Sequence, residues 1–389
     1  MKISDRISKR ERELPGARVE ELGEKGRDKG FISLGLGEPD FATPAPIVAY
    51  AKKMLAKCSR YTPSEGTDDF RNAVAEKLKK ENGIDCGPES IVATAGSTEG
   101  IFLSLVCTTD PGEHVIVPDP SYLSYIPSVE LLGAHPVSFE LREEERWEPN
   151  IDRLASLVDK GRTKVLILNS PANPTGNVYS KKTLEEIAAV AIENDLLIIS
   201  DEAYEKLVYG DAKHVSIGSL NGIDDRVITL QSFSKTFAMP GWRLGYVCAP
   251  PAIAEAITKV HVYTSLSAPN LAQAAGTFAL RQLDRKHVED MRKSYDERRK
   301  LISARLNEIG LPTIEPKGAF YTFSNVQEFS SSANHFVDEL LKKAKVVTIP
   351  GTEFGKHGEG YVRCSYATSL KEINEALDRI ENVLKHQWV

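Results

Sequence analysis

Lys235 follows an apolar run, residues 227–230. It lies in the stretch Ser232-Phe-Ser-Lys235-Thr-Phe-Ala-Met-Pro-Gly241-Trp-Arg243-Leu-Gly245. A lysine in an apolar site has its pKa lowered, and its neutral amine can attack a carbonyl carbon. A lone lysine after a strand is otherwise a surface residue, so neighbouring chemistry has to decide. Asp201, in IISDEAY, ends a second apolar run, where a carboxylate is costly unless it is paired. Its bland alternative is a helix N-cap. Gly96, Ser97 and Thr98 follow the run SIVATA and open a helical pattern that reaches about Cys107. Backbone N–H groups at such a helix start bind phosphate. Ser97 or Thr98 would also serve as an ordinary N-cap, and the two roles can coexist.

These residues share one kind of position. Short β-branched runs at 91–93, 114–117, 135–139, 164–168, 197–199, 227–230 and 245–248 alternate with longer amphipathic stretches such as 182–193. Strands alternating with helices predict an α/β fold with a mainly parallel sheet. In such sheets the site lies beyond the carboxyl ends of the strands. Gly96 to Thr98 follow the first run, Asn173 the fourth, Asp201 and Tyr204 the fifth, and Ser232 to Lys235 the sixth. A charged pattern over 285–306 reads as a solvated connecting helix. The segments GLPTIEPKGAFYTF, KVVTIPGTEFG and YVRCSYA then predict a second, smaller α+β domain. The expected division is an N-terminal segment (1–40) packing with the small domain, a large domain (41–285) and a small C-terminal domain (286–389).

The stretch SFSKTFAMPGWRLGY resembles the Schiff-base lysine motif of the class I/II aminotransferases. These form the fold-type I family dependent on pyridoxal 5′-phosphate (PLP), which includes the aspartate aminotransferases. Further motifs similar to the family's follow in family order, from LGLGEPDF near the start to YVRCSYA near the end, so the likeness covers nearly the whole chain. The resemblance implies that Lys235 carries the cofactor and, once displaced by substrate, shuttles a proton between the substrate Cα and the cofactor's C4′. It implies that Ser232 and Arg243 hold the phosphate, where an arginine fork suits phosphate oxygens. Asp201 would face the pyridine nitrogen and keep it protonated, so that the ring acts as an electron sink. Tyr204 would hydrogen-bond the phenolic O3′, as would Asn173 of NSPANPTG, a segment that by itself is only a good turn. Tyr122 of PDPSYLSY matches the aromatic residue that stacks on the ring, with nearby Tyr125 as the core counterpart. Tyr61 of SRYTPSEG matches a tyrosine that reaches the phosphate of a neighbouring subunit, which implies a homodimer.

On the substrate side, Arg363 matches the arginine that clamps the α-carboxylate, a planar group that a bidentate guanidinium fits and an ammonium does not. Gly37 would offer its backbone N–H to that carboxylate, and Asn173 would help from the other side. Aspartate-specific relatives read the distal carboxylate with a lysine in the phosphate loop or an arginine from the partner. Here the loop position is Thr98, and the segment His261-Val-Tyr-Thr-Ser-Leu-Ser267 has no arginine. Aspartate, aromatic, alanine and branched donors all stay open, with 2-oxoglutarate as acceptor in a ping-pong reaction.

Composition narrows the field further. With 389 residues, 41% of them hydrophobic, the chain can bury a large core in about two domains. A net charge of −6 without a basic run points away from nucleic acid. The five cysteines form no CxxC and the histidines no HExxH, so neither a disulfide framework nor a metal site is expected, and a cytoplasmic setting fits. The N-terminus lacks a signal peptide's apolar stretch, and runs such as 196–199 are too short for a membrane helix. The nearest rival is a PLP-dependent carbon–sulfur β-lyase on the same scaffold. A PLP-binding transcription regulator would need a DNA-binding domain that residues 1–30 are too short to supply. A nicotinamide-dependent dehydrogenase would need a GxGxxG after a strand, and none follows.

Overall fold

The structure is a computed structural model of the chain and describes residues 6–12, 14, 16, 18–386 and 388. A two-residue strand, β1 (Ile32–Ser33), comes first. Seven strands then build the central sheet: β2 (Ile91–Thr94), β3 (His114–Asp119), β4 (His135–Glu140), β5 (Thr163–Asn169), β6 (Leu197–Asp201), β7 (Val227–Ser232) and β8 (Gly245–Cys248). Their order is β2-β8-β7-β6-β5-β3-β4. β8 alone runs antiparallel to its neighbours, so the sheet is mixed but mainly parallel.

Both faces are covered over the inner strands, which is why β3, β5 and β6 read as nearly unbroken apolar runs rather than as alternation. Val115, Val117, Val165, Ile167, Ile199, Ile228 and Leu230 face one side, packed with Ile101 and Leu105 of the helix Ser97–Thr108 and Ile257 of the helix Pro251–Thr264. Ile116, Leu166, Leu168 and Ile198 face the other, against Leu184 and Ile187 of the helix Lys181–Glu193. That helix starts at Ser180, whose hydroxyl accepts from the Thr183 N–H and caps it. From β3 the chain order runs outward to β4 on one side and to β5, β6 and β7 on the other. This reversal opens a crevice at the carboxyl ends of the strands.

A three-stranded antiparallel sheet follows, built from β9 (Tyr321–Asn325), β11 (Ile349–Pro350) and β12 (Tyr361–Ser365), with β12 central. Between β9 and β11 lies β10 (Val346–Val347), which pairs parallel with β1. The N-terminal segment is tied there by further bonds: the Ser365 N–H donates to the Leu34 carbonyl at 2.6 Å, and Arg18 meets Asp338 at 2.5 Å. Of the 1–40 segment, residues 1–5, 13, 15 and 17 lie outside the described residues.

One expectation needs correction. The charged 285–306 pattern is not a solvated helix. The helix Lys286–Glu308 buries Met291, Tyr295, Ile302 and Leu306 as a stripe, and even Arg298 and Arg299 are inside. Four apolar residues at helical spacing are enough to dock it. Its arginines bury their stems while their heads pair with Asp40 at 2.8 Å and Asp296 at 2.7 Å.

Candidate active site

The crevice is a cleft of about 560 Å³, lined from β2, β3, β5, β6, β7 and β12 and from the N-terminal segment. Lys235 enters it from the short helix Phe233–Thr236 directly after β7. That helix is started by Ser232, whose hydroxyl accepts from the Ser234 N–H at 3.1 Å. The Lys235 ammonium donates to the Gly37 carbonyl and lies 5.8 Å from the Tyr204 ring and 5.7 Å from the Phe320 ring. Burial, with Arg363 and Arg243 nearby, pushes its pKa down to about 8 against the pull of Glu38 and Asp201.

Asp201 ends β6 in the cleft and is buried. Burial raises its carboxyl to about 6, although the Tyr125 hydroxyl donates to Oδ2 at 2.9 Å and the Ala203 N–H to Oδ1 at 3.1 Å. It caps a turn rather than a helix. Tyr125 is therefore more than core filling: it holds the carboxylate. Tyr122, half-buried, lines the cleft, with its ring edge-on to Tyr125 at 5.5 Å. Asn169, the last residue of β5, donates to the Asp201 carbonyl at 3.0 Å and accepts from the Asn173 N–H at 2.8 Å.

At the other end, Gly96 takes φ +90° and starts the helix Ser97–Thr108. A Cβ there would lie 2.6 Å from the Arg243 guanidinium, so glycine is what lets the arginine reach this loop. Arg243 is itself left-handed at φ +52° and donates to the Ala95 and Pro240 carbonyls. The ordinary-cap reading of Ser97 and Thr98 fails. The cap position is Gly96 and no side chain caps, while the Thr98 hydroxyl sits 3.4 Å from that of Tyr122.

Arg363, on β12, is buried in the cleft wall. Its Nη1 donates to Asn173 Oδ1 at 3.0 Å and its Nη2 to the Gly35 carbonyl at 2.6 Å. Its Nε has no partner. The guanidinium rests 4.4 Å from the Tyr321 ring centre and 4.7 Å from that of Phe354. A buried cation in a cleft wall, with one of its donors unpartnered, calls for an anion.

Gly37, Gly96, Ser97, Thr98, Tyr122, Asn173, Asp201, Tyr204, Ser232, Lys235, Arg243 and Arg363 thus share one cleft. Tyr61 does not: it is 85% exposed and outside the lining. Sequence reasoning missed Tyr321, Asn169 and the helix Arg18–Lys25, whose Val19, Glu20 and Glu24 reach the cleft mouth beside Arg27. Asn169 is a polar residue ending an apolar strand, the signal that singled out Asp201. Tyr321 sits in an aromatic run, GAFYTF, where a core tyrosine looks the same.

Residues 29–380 match the family described as aminotransferase class I and II. The chain belongs to that family. It is 48% identical to an aspartate aminotransferase of Pyrococcus abyssi over 92% of this chain and 93% of that one. It is 46% identical to aromatic-amino-acid aminotransferase 2 of Thermococcus litoralis, again over 92% and 93%. Among solved structures, the aromatic aminotransferase of Pyrococcus horikoshii OT3 superposes with a TM-score of 0.90 at 46% identity, over 95% of this chain and 99% of that one. The protein is an aminotransferase, and like its family it depends on PLP.

The residues present fit that cofactor. A glycine-started helix beside Arg243 and Ser232 suits a phosphate. A buried carboxylate held ionisable by Tyr125 suits a ring nitrogen. A buried lysine of lowered pKa suits an aldehyde. Among the described residues, no helix is long and apolar enough to cross a membrane.

Proposed function

We propose that the enzyme moves the amino group of an L-amino acid, with aspartate and aromatic donors foremost, to 2-oxoglutarate in two half-reactions. The observation that carries this is Arg363: a buried guanidinium, its Nε unpartnered, in the wall of the same cleft that holds the Lys235 amine. Its guanidinium would bind the α-carboxylate, while Asn173 and Gly35 hold the fork in plane. This fixes the amino acid's Cα near Lys235. Bound PLP supplies a carbonyl carbon for the amine and an electron-poor ring. Lys235 Nζ is placed to take the proton from Cα and would carry it towards the cofactor. Asp201 would hold the ring nitrogen's proton, Tyr204 would donate to O3′, and Tyr122 would cover the ring. Ser232, Arg243 and the N–H groups after Gly96 would hold the phosphate.

The donor range is supported by what relatives are named for, aspartate and aromatic amino acids. It also fits a lining that pairs Leu36, Leu123 and Tyr122 with one outer cation, Arg27. We read residues 41–285 as the cofactor domain and 286–389 as the smaller one. The exposed Tyr61 fits a homodimer in which it reaches the partner's phosphate. A panel of L-amino donors with 2-oxoglutarate, scored by glutamate formed, tests the reading. Glutamate should appear with an acidic or aromatic donor. Pyruvate released without any acceptor, and no glutamate from any donor, would replace transamination with β-elimination.

A further inference from the structure

We propose that Tyr321 is a positioning residue: its hydroxyl donates to the Tyr204 hydroxyl and so sets the strength of the bond that Tyr204 makes to the cofactor's phenolic oxygen. The inference rests on the reading of Tyr204 above.

Three contacts carry it. The two hydroxyls are 2.8 Å apart and both side chains are buried. The Tyr321 ring lies under the Arg363 guanidinium, 4.4 Å from centre to carbon. A Cβ on Gly37 would come within 3.1 Å of the Tyr321 hydroxyl, so the Gly37 backbone closes over it. The register explains the placement: Ser365 pairs with Tyr321 and Arg363 with Phe323, so Tyr321 and Arg363 are diagonal neighbours on one face. Tyr204 follows β6 of the central sheet, so the contact also bridges the two sheets.

A hydroxyl has one proton. When Tyr204 donates that proton to the phenolic oxygen, its own oxygen can only accept, and Tyr321 is the donor in reach. Such a chain polarises: donation by Tyr321 makes Tyr204 the better donor. A stronger donor at the phenolic oxygen competes with the proton shared between that oxygen and the Lys235 nitrogen. It therefore favours loss of that proton. Removing the Tyr321 hydroxyl should raise the pH at which the proton leaves.

The test is the visible absorption of the PLP-loaded enzyme titrated against pH, with no substrate present. Tyr321→Phe keeps the ring beside Arg363 and removes only the hydroxyl. Its midpoint should rise by roughly 0.4 to 1 pH unit, the worth of one neutral hydrogen bond. KM for the amino donor should stay within about twofold, because the ring contact to Arg363 remains. Tyr204→Phe should shift the midpoint further, and adding Tyr321→Phe to it should move nothing more. A midpoint unchanged in Tyr321→Phe overturns the inference while leaving Tyr204 in place. Additive shifts in the double variant also overturn it, since Tyr321 would then act by another route. No shift in Tyr204→Phe overturns both this inference and the role of Tyr204. Near-UV circular dichroism of the apo form confirms that each variant is folded.

Discussion

Lys235 shows how far one side chain's meaning depends on its surroundings. With a pKa of about 8, roughly one amine in ten is neutral at pH 7, against fewer than about one in a thousand for an ordinary lysine. The sign is set by burial, which penalises the ammonium, helped by the charges of Arg363 and Arg243. Uptake of PLP by apo enzyme, followed as the growth of the visible band, should therefore accelerate as pH rises and level off above about 8. A rate flat from pH 6 to roughly 9 would mean that the free amine is not limiting. Arg363 makes the complementary case. Arg363→Lys keeps the charge but loses the planar fork and the paired bonds to Asn173 and Gly35. We expect kcat/KM to fall by about 30- to 1,000-fold, the cost of roughly 2–4 kcal/mol, with PLP content unchanged. A loss below about tenfold would remove the carboxylate from Arg363. The place of both residues in the cleft was legible in the sequence, Lys235 because it follows a strand end and Arg363 because it stands within the recognisable stretch YVRCSYA. Tyr321 was not, since nothing local separates a tyrosine that bonds another tyrosine from one that fills a core.

At the scale of elements, the sequence pattern carried the central sheet well. Short β-branched runs alternating with helical stretches announced a mainly parallel sheet, and all seven runs are strands of it. It carried the helix Lys286–Glu308 poorly, because buried arginines look like surface charge, above all Arg298, whose partner Asp40 lies far along the chain. The phosphate loop depends on a pairing of this hidden kind. The Ala95 N–H donates to Glu99 at 2.6 Å, and Ser265 also donates to Glu99. His261 Nε2 lies 3.3 Å from the same carboxylate, and its Nδ1 is 2.8 Å from the Ser64 carbonyl. Both ring nitrogens thus face acceptors, which favours the imidazolium. Burial works against that charge, but Glu99 outweighs it and raises the histidine's pKa. A raised folded pKa means the stabilisation is full below the unfolded value near 6.5 and fades as pH rises through the folded one. The Tm gap between the wild type and His261→Gln should therefore shrink on going from about pH 6 to about 9. A constant gap would show that His261 acts here as a neutral residue.

For the whole molecule, the question is whether one chain completes its own site. Every residue assigned to the cofactor or substrate lines one cleft except Tyr61, which stands 85% exposed outside it. Its loop is not loose. The Arg60 carbonyl accepts from Asn270 at 3.0 Å, Thr62 from Gln273 at 3.0 Å, and Ser64 is the residue bonded by His261. A rigidly held loop with a tyrosine facing outward is built to present it. Tyr263 is exposed to a similar degree, and Leu55, Val262 and Leu266 are also partly bare. Apolar residues held in this way suit an isologous contact with a second copy. If Tyr61 completes the partner's site, two crippled variants can repair each other. In a hybrid of Lys235→Ala with Tyr61→Ala, one site keeps its own Lys235 and receives Tyr61 from the other subunit, while the second site has neither. Random pairing makes about half the dimers hybrids with one sound site of two, so unfolding and refolding an equal mixture together should recover about a quarter of wild-type activity. Each variant refolded alone should stay well below that level. A mixture no more active than the mean of its parents would place Tyr61 within its own subunit's surface and leave each cleft complete without a neighbour.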